Sequence, residues 1–299
     1  MRFSLAIVLV AACGGGGSKG MTTVDAGPGS AGFDKPVMAV HANTQGSDGT
    51  WTDNGPADLS CLGTPSSDMP TTLDVMLSTV VNDFQTQKAV GSAAVIAFQD
   101  LDYTAPFATT TADGSGAVTV TVPTGTTRFG FEMTATAQYP TFLLNQKVDP
   151  SMATQMLPEI QSVSGETATT LPALIGETRV MGTGVVAGAV RDCMARTMSN
   201  FVVTISSTSK TPTPIDGAQA FYFSPSKMPL PVRHNVSDMS SSNGLFMVIQ
   251  APVETTAYIQ AWGYTSSDAV GGDMTLLSEL AAPVLADTVV TGSFEPVRQ

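Results

Sequence analysis

The sequence predicts an all-β protein of two tandem antiparallel β-sandwich domains, with a short helical connector and a disordered N-terminal tether. Two observations lead to this fold class. Short segments with apolar residues at every second position are separated by turns rich in Gly, Pro, Asn and Asp, which is the pattern of half-buried strands in a sandwich. The same order of strands and turns then occurs a second time along the chain.

The N-terminus has the features of an export signal. Arg2 is followed by an apolar run and then by small residues, so residues 1–12 are predicted to be a signal peptide. The ending Val10-Ala11-Ala12-Cys13 resembles the lipobox of bacterial lipoproteins, in which the cysteine becomes the lipidated first residue. The resemblance implies that a lipid on Cys13 holds the mature chain at a membrane.

Residues 13–50 are predicted to be a flexible Gly/Ser-rich tether, because they show no apolar period. The alternative is that Pro36-Val37-Met38-Ala39-Val40 forms a buried N-terminal strand. Residues 51–146 are predicted to form the first sandwich, which opens with an ordered loop around Cys61.

The alternation of apolar and polar residues predicts where the strands of the first sandwich lie. Segments 73–81 and 93–98 are apolar and strand-like. Asp113-Gly114-Ser115-Gly116 is a strong hairpin signal, and residues 117–122 after it alternate between apolar residues and Thr. Residues 128–135 alternate again.

Residues 147–181 interrupt this series and are predicted to be a connector with short helical turns. Ser164-Gly165-Glu166-Thr167 has the residue types of a helix start. The strand pattern then returns over residues 182–299, which are predicted to form the second sandwich.

The second series corresponds to the first at several landmarks. Val80-Val81-Asn82-Asp83-Phe84 corresponds to Ala189-Val190-Arg191-Asp192-Cys193, and the turn at 113–116 corresponds to Ser241-Ser242-Asn243-Gly244. This order resembles the carboxypeptidase regulatory-like, transthyretin-like sandwich, in two copies over most of residues 70–299. The resemblance is stronger in the second copy and implies an architecture without catalytic residues.

The whole arrangement is also similar to that of predicted lipoproteins of myxobacteria and their relatives. In that family a Cys before the first copy and another in the opening turn of the second copy recur. If Cys13 carries lipid, Cys61 and Cys193 remain as an even pair, and an oxidising compartment favours a disulfide between them. The alternative is two separate buried thiols.

The charge balance restricts the partners. The net charge is −12, with 13 Lys and Arg against 25 Asp and Glu, which disfavours nucleic acid and binding to an anionic bilayer through a basic patch. No later segment reaches about 20 uninterrupted apolar residues, so no second membrane span is expected. The expected partners are the membrane, through the lipid on Cys13, and an unidentified protein or glycan.

The sequence contains few residues of the types that catalyse reactions or bind metals. His41 and His234 are the two histidines, no Gly-x-Ser-x-Gly elbow precedes a predicted helix, and zinc would lack ligands, so no cofactor is expected. A Ser-His-Asp site built on His234 is the enzymatic alternative. Asp100, Asp102 and Asp113 are the calcium candidates, although solvated loop carboxylates are the ordinary interpretation.

Aromatic residues provide a separate test of glycan binding. The pool of aromatic candidates comprises Trp51, Tyr103, Phe107, Tyr222, Tyr264 and Trp262. Trp262 and Tyr258 alternate with polar residues on a predicted strand, so burial is expected for both. An exposed cluster of Trp51, Tyr103 and Phe107 would favour a glycan site.

Together these features predict a non-catalytic lipoprotein, exported and anchored to the cell envelope, with the outer membrane of a Gram-negative bacterium as the expected location. Its sandwiches would act as an adhesion or envelope-scaffold module. The first alternative is a carbohydrate- or peptide-binding module that uses sandwich loops, and the second is an enzyme whose site has no sequence signature.

Overall fold

A computed structural model describes residues 35–299, which are mostly β-strands with one α-helix. The strands that precede the helix are β1 (His41–Gln45), β2 (Trp51–Pro56), β3 (Val75–Asp83), β4 (Ala94–Gln99), β5 (Pro106–Thr111), β6 (Ala117–Val122), β7 (Arg128–Thr134), β8 (Gln138–Tyr139), β9 (Thr141–Lys147), β10 (Thr154–Met156) and β11 (Ile160–Ser164). The helix α1 is Gly165–Leu174. The strands that follow it are β12 (Gly184–Val190), β13 (Thr197–Ser199), β14 (Val202–Ser206), β15 (Gln219–Phe223), β16 (Pro231–Val232), β17 (Leu245–Ala251), β18 (Glu254–Gly263), β19 (Thr275–Val284) and β20 (Val289–Phe294), with a 3-10 turn at Ser267–Ala269. The predicted signal peptide, Cys13 and most of the predicted tether lie outside the described residues.

The first sandwich packs two sheets around an apolar core. In one sheet β3 pairs antiparallel with β6 and parallel with β10 and β11. In the other, β7 lies between β4 and β9 with antiparallel pairing on both sides. The alternation predicted for 117–122 is confirmed, because Val118, Val120 and Val122 are buried and the residues between them are exposed. They pack against Phe129 and Phe131 of β7.

The second sandwich repeats this pairing. β12 pairs antiparallel with β17 and parallel with β20, as β3 does with β6 and with β10 and β11. The facing sheet is β14-β18-β19, all antiparallel. Residues 35–299 therefore form an all-β architecture of two mainly antiparallel sandwiches in tandem, as the alternation predicts.

Equivalent turns in the two copies have equivalent hydrogen bonds. Gly116 and Gly244 both have a positive φ, +78° and +64°, which glycine adopts without strain. The Val81 amide donates to the Gly116 carbonyl at 2.8 Å, and the Val190 amide donates to the Gly244 carbonyl at 3.2 Å. The turns at 113–116 and 241–244, which correspond in sequence, therefore also share a positive φ and an equivalent backbone hydrogen bond.

One strand pair joins the two sandwiches. β20 pairs parallel with β9, so that strands of both copies form a single sheet in the order β16-β15-β17-β12-β20-β9-β7-β4-β5. The two copies cover opposite faces of this shared sheet. Because side chains alternate along a strand, Leu143 of β9 packs against the first core while Phe142 and Leu144 belong to the second.

The predicted tether, residues 13–50, ends earlier than expected. Val40 is 1% exposed in the second core, and β1 pairs with both β2 and β13 of the second copy. Residues 51–56, expected to open the first sandwich, therefore lie against the second. The sequence did not indicate this because β1 and β2 are short polar strands, and β13, which joins them to the second copy, lies far along the chain.

The predicted connector, residues 147–181, contributes strands as well as a helix. β10 and β11 extend the sheet of the first copy through β3. The helix start predicted at Ser164 is confirmed, because the Ser164 side chain caps α1 by accepting from the Thr167 amide at 3.1 Å. Within residues 35–299, no helix has the length and apolar character needed to cross a membrane.

Candidate functional site

A disulfide joins Cys61 to Cys193, which confirms the predicted pair. Their Cα atoms are 5.7 Å apart, although 132 positions separate them in sequence. The bond holds the loop after β2 against the opening turn of the second copy. The Cys193 amide donates to the Asp58 carbonyl at 2.9 Å, and this fixes the same contact through the backbone.

Asp192 organises the turn beside this disulfide. It is buried, and its carboxylate accepts two hydrogen bonds from Arg196, Nε at 2.9 Å and Nη2 at 2.7 Å. It also accepts from the Asp58 amide at 3.2 Å. Both hydrogen bonds end on Asp192 Oδ2, and charge-assisted hydrogen bonds to a buried carboxylate are strong, so this turn is a rigid support for the strand it follows.

A groove of about 350 Å³ lies on the shared sheet, on the face of β12, β17 and β20 that the second core does not use. Its floor comes from alternate residues of these strands. Val185, Ala187 and Ala189 of β12 are half-buried there, while Val186 and Val190 point to the opposite face and into the second core. The small side chains of Ala187 and Ala189 give the groove its depth.

The connector forms the roof and one wall of the groove. Ala168, Leu171 and Pro172 of α1 line it from above, and Pro158 and Val163 line it from the β11 side. The segment after α1 is fixed at one end, since Ile175 is buried with Phe221 and Met247 in a small third cluster. Both copies therefore contribute to one apolar groove.

A few polar groups lie along the rim. Arg191, at the end of β12, donates through Nη1 to the Ala195 carbonyl at 3.0 Å and forms no ion pair with residues 35–299. On the other wall, Gln161 donates through Nε2 to Glu159 Oε2 at 2.9 Å. An apolar groove of this size with few polar rim groups is typical of a ligand site.

Two ionic clusters fix the surroundings of the groove. Arg128 of β7 donates through Nε to Asp68 at 2.8 Å and contacts Glu295 at 2.8 Å, and Lys147 also contacts Asp68. Burial alone would raise the pKa of Asp68, but hydrogen bonds and charge from Lys147 and Arg128 outweigh it, so that pKa is lowered. The cluster connects the first copy to the C-terminal segment of the second.

The second cluster lies at the other end of the connector. Arg179 stacks over the Tyr139 ring with 4.2 Å to its centroid and pairs with Asp287 at 2.8 Å. A backbone hydrogen bond from Gly182 is the largest influence that lowers the pKa of Asp287, and Arg179 lowers it further. The connector is therefore held by charged contacts on both sides.

The calcium candidates are not brought together. Asp102 accepts from the Thr104 hydroxyl at 2.6 Å, and Asp113 accepts from the Ser115 hydroxyl at 2.7 Å and the Ala117 amide at 3.0 Å. The Ser115 side chain is the main cause of the lowered pKa of Asp113. Asp100 is exposed in a turn with φ of 51°. Over residues 35–299, no group of three or more His, Cys, Asp or Glu residues is placed to hold a metal.

The two histidines each pair with one carboxylate. His41 Nδ1 lies 2.8 Å from Asp53 Oδ2, and this hydrogen bond is the main cause of the lowered pKa of Asp53. His234 Nδ1 lies 3.1 Å from Asp238, and its ring stacks on Phe221 with centroids 4.4 Å apart. The contacts of His234 hold a loop against the sheet, and among residues 35–299 they include no serine hydroxyl.

The aromatic residues are divided between the cores. Tyr103 packs with Phe98 and Phe142 on the second core, whereas Phe107 packs on the first. Trp51 lies on β2, half-buried. Trp262 is buried, as predicted, but Tyr258 is only half-buried, so the expectation for it was wrong. Tyr222 and Tyr264 are also buried.

Sequence reasoning missed the groove. Its floor residues belong to an ordinary alternating strand, and its roof belongs to a connector whose docking position the sequence does not specify. The only available signal was the run of small residues Ala187-Gly188-Ala189 on a strand, where larger residues usually fill a core.

No family model matches this chain, and no curated protein matches it. Among solved structures, it is similar to the Bacillus anthracis TIE protein, with 7% identity over 74% of this chain and a TM-score of 0.23. The chain spans 34% of that protein.

Two pilins are also similar. The shaft pilin SpaA from Lactobacillus rhamnosus GG has 12% identity, with 76% of this chain and 98% of that chain covered and a TM-score of 0.23. A streptococcal ancillary pilin has 13% identity, with 76% and 63% covered and a TM-score of 0.22. At these TM-scores the superpositions assign no function to the chain.

Proposed function

We propose that this chain is a non-catalytic lipoprotein that is anchored through Cys13 to the outer membrane of a Gram-negative bacterium. There it presents its two joined sandwiches as an adhesion or envelope-scaffold module. The observation that carries the proposal is Val10-Ala11-Ala12-Cys13 directly after an apolar run and a cation.

The disulfide supports export. Structural disulfides form and persist in oxidising compartments and are rare in the cytosol. Because Cys61 and Cys193 pair with each other, Cys13 is left as the third cysteine and is available for lipid. The paired sandwiches, fixed by a shared sheet and a disulfide, suit a structural role at an exposed surface.

Metabolic labelling tests the proposal. Cells that express the full-length protein are grown with radiolabelled palmitate, and membranes are separated from soluble fractions. We expect label and membrane association in the wild type and loss of the label in Cys13→Ser, with Thr121→Ser as a control that retains it. Wild-type protein that is unlabelled and soluble would contradict the lipoprotein assignment.

A second candidate function is peptide binding, and the groove between α1 and β12 favours it. Glycan binding has less support than peptide binding. The three aromatic residues that would form a flat sugar-binding face are half-buried and do not form one cluster, with Tyr103 and Phe107 on different cores.

A further inference from the structure

The first sandwich has an incomplete strand position beside the groove. β8 pairs with β11 only at Val163 and Ser164. Further back along β11, Ile160–Ser162 pair with β3 on one side, and no strand within residues 35–299 pairs with them on the other. The sheet therefore has space for an added strand in line with β8.

The backbone of β11 is oriented to receive such a strand. The Ser162 carbonyl accepts from the Phe84 amide at 2.8 Å, so the polar backbone groups of Ser162 face β3. Because these groups alternate in direction along a strand, the N–H and C=O of Gln161 face away from β3. Pro158, Glu159 and Gln161 all line the groove, so this open edge faces the groove.

The groove floor suits the side chains of an extended chain. An added strand would place every second side chain toward one face, where Ala187, Leu245 and Val289 offer an apolar surface. From Val185 to Arg191 the floor is about 20 Å long, at roughly 3.3 Å per residue. This length accommodates about six to seven residues, and the cavity volume of about 350 Å³ lies in the range of small binding pockets.

We propose that the groove binds an extended, mainly apolar peptide segment of a partner protein, which adds as a strand to the open edge of β11. Backbone hydrogen bonds to β11 provide affinity, and the apolar floor selects alternate apolar side chains. The charged side chains of Arg191 and Glu159, which also line the groove, meet the polar ends of the segment. The proposal rests on the assignment of the chain as an interaction module and specifies the chemistry of its partner.

The test uses the full-length protein purified with Cys13→Ser, so that lipid does not contribute to binding. The probes are a set of fluorescein-labelled peptides of about seven residues, each with Val, Leu, Ile or Phe at alternate positions and Thr between them, with a Lys at one end and a Glu at the other. Fluorescence anisotropy measures their binding, and a fluorescent fatty acid is titrated in parallel.

Two matched pairs of variants identify the site. Gln161→Pro removes the outward N–H on an edge strand, where proline is tolerated, and Gln161→Ala keeps that N–H. Ala187→Phe fills the floor, and Thr121→Phe adds the same side chain on the exposed face of β6. Retention of the disulfide and of the wild-type unfolding transition establishes that each variant is folded.

We expect at least one peptide of the set to bind, with affinity lowered about tenfold or more in Gln161→Pro and Ala187→Phe. The Gln161→Ala and Thr121→Phe controls are expected to bind as the wild type does. The proposal is overturned if no peptide binds, if Gln161→Pro binds as well as Gln161→Ala, or if only the fatty acid binds. Because lipidation is measured separately in cells, failure of peptide binding leaves the anchoring result intact.

Discussion

The outer faces of β3 and β12 are equivalent in the two sandwiches but have different surroundings. On β3, Met76 is 44% exposed beside Thr121 and Thr154, the other outward residues are half-buried, and no residue of the strand lines the groove. On β12, Val185 and its neighbours are half-buried beneath α1 and β11. Since the strand pairing is the same in both copies, the difference comes from the connector, which covers only the second.

The difference between β3 and β12 explains why only one of the two copies has a groove. The parallel pair of β9 and β20 places the first copy beside the second, so that the edge of one sheet borders the open face of the other. The connector then closes the space between them. A site formed in this way depends on the joint between the copies, which consists of the β9–β20 pair and the ionic contacts around it. The following predictions test this joint and the differences between the two copies.

The largest effect is expected from the disulfide, because the first copy has Phe84 at the position that corresponds to Cys193. Replacing Cys61 and Cys193 together by Ser releases a loop of 132 positions, for which loop-closure entropy gives about 4–5 kcal/mol. Chemical unfolding of the oxidised wild type and the double variant measures this loss of unfolding free energy. An unchanged denaturation midpoint would show that the turn at Asp192 holds the contact without the disulfide.

Core substitutions test whether the copies unfold together. Phe131→Ala in the first core and Phe246→Ala in the second each remove a fully buried ring and are expected to cost about 3–5 kcal/mol. Because the shared sheet couples the copies, each variant should shift one common calorimetric transition. Two transitions, with each variant lowering only its own, would show that the copies unfold independently.

Acid is expected to weaken the contact between the two copies, because protonation of Asp68 removes its ion pairs with Arg128 and Lys147. Its pKa is lowered in the folded protein, so its stabilising contribution is complete above the unfolded value of about 3.9 and is lost as pH falls through the folded value. Asp68→Asn should cost about 2 kcal/mol at neutral pH, where one charged hydrogen-bond partner is lost. The difference between wild type and variant should shrink below about pH 4, and a constant difference would contradict this role.

Much of the fold was predictable because alternation is a local property. The strands around Val118, Val120 and Val122 show the period of two directly, and the Gly116 and Gly244 turns repeat their signal. The disulfide was predictable from cysteine count and compartment. The strands and turns can be predicted from short segments of sequence, and the disulfide can be predicted from the number of cysteines.

The parts that could not be predicted depend on long-range pairing. β9 follows Pro140 and shows no signal that it pairs with β20 nearly 150 positions later. β1 is a polar strand that is stabilised by β13 rather than by its own pattern. The groove needs the pairing of β9 with β20 and the position of α1, so Ala187 and Gln161 could not be identified as site residues in advance.

Hydrogen exchange in β9 and β20 measures whether the two sandwiches share one sheet. These two strands pair with each other within one continuous sheet to which both copies contribute. In the oxidised full-length protein, we expect amides in 141–144 and 289–292 to be protected as strongly as those of β17, a central strand. Rapid exchange in both segments while β17 stays protected would show that the sheet is not continuous, and would contradict the account.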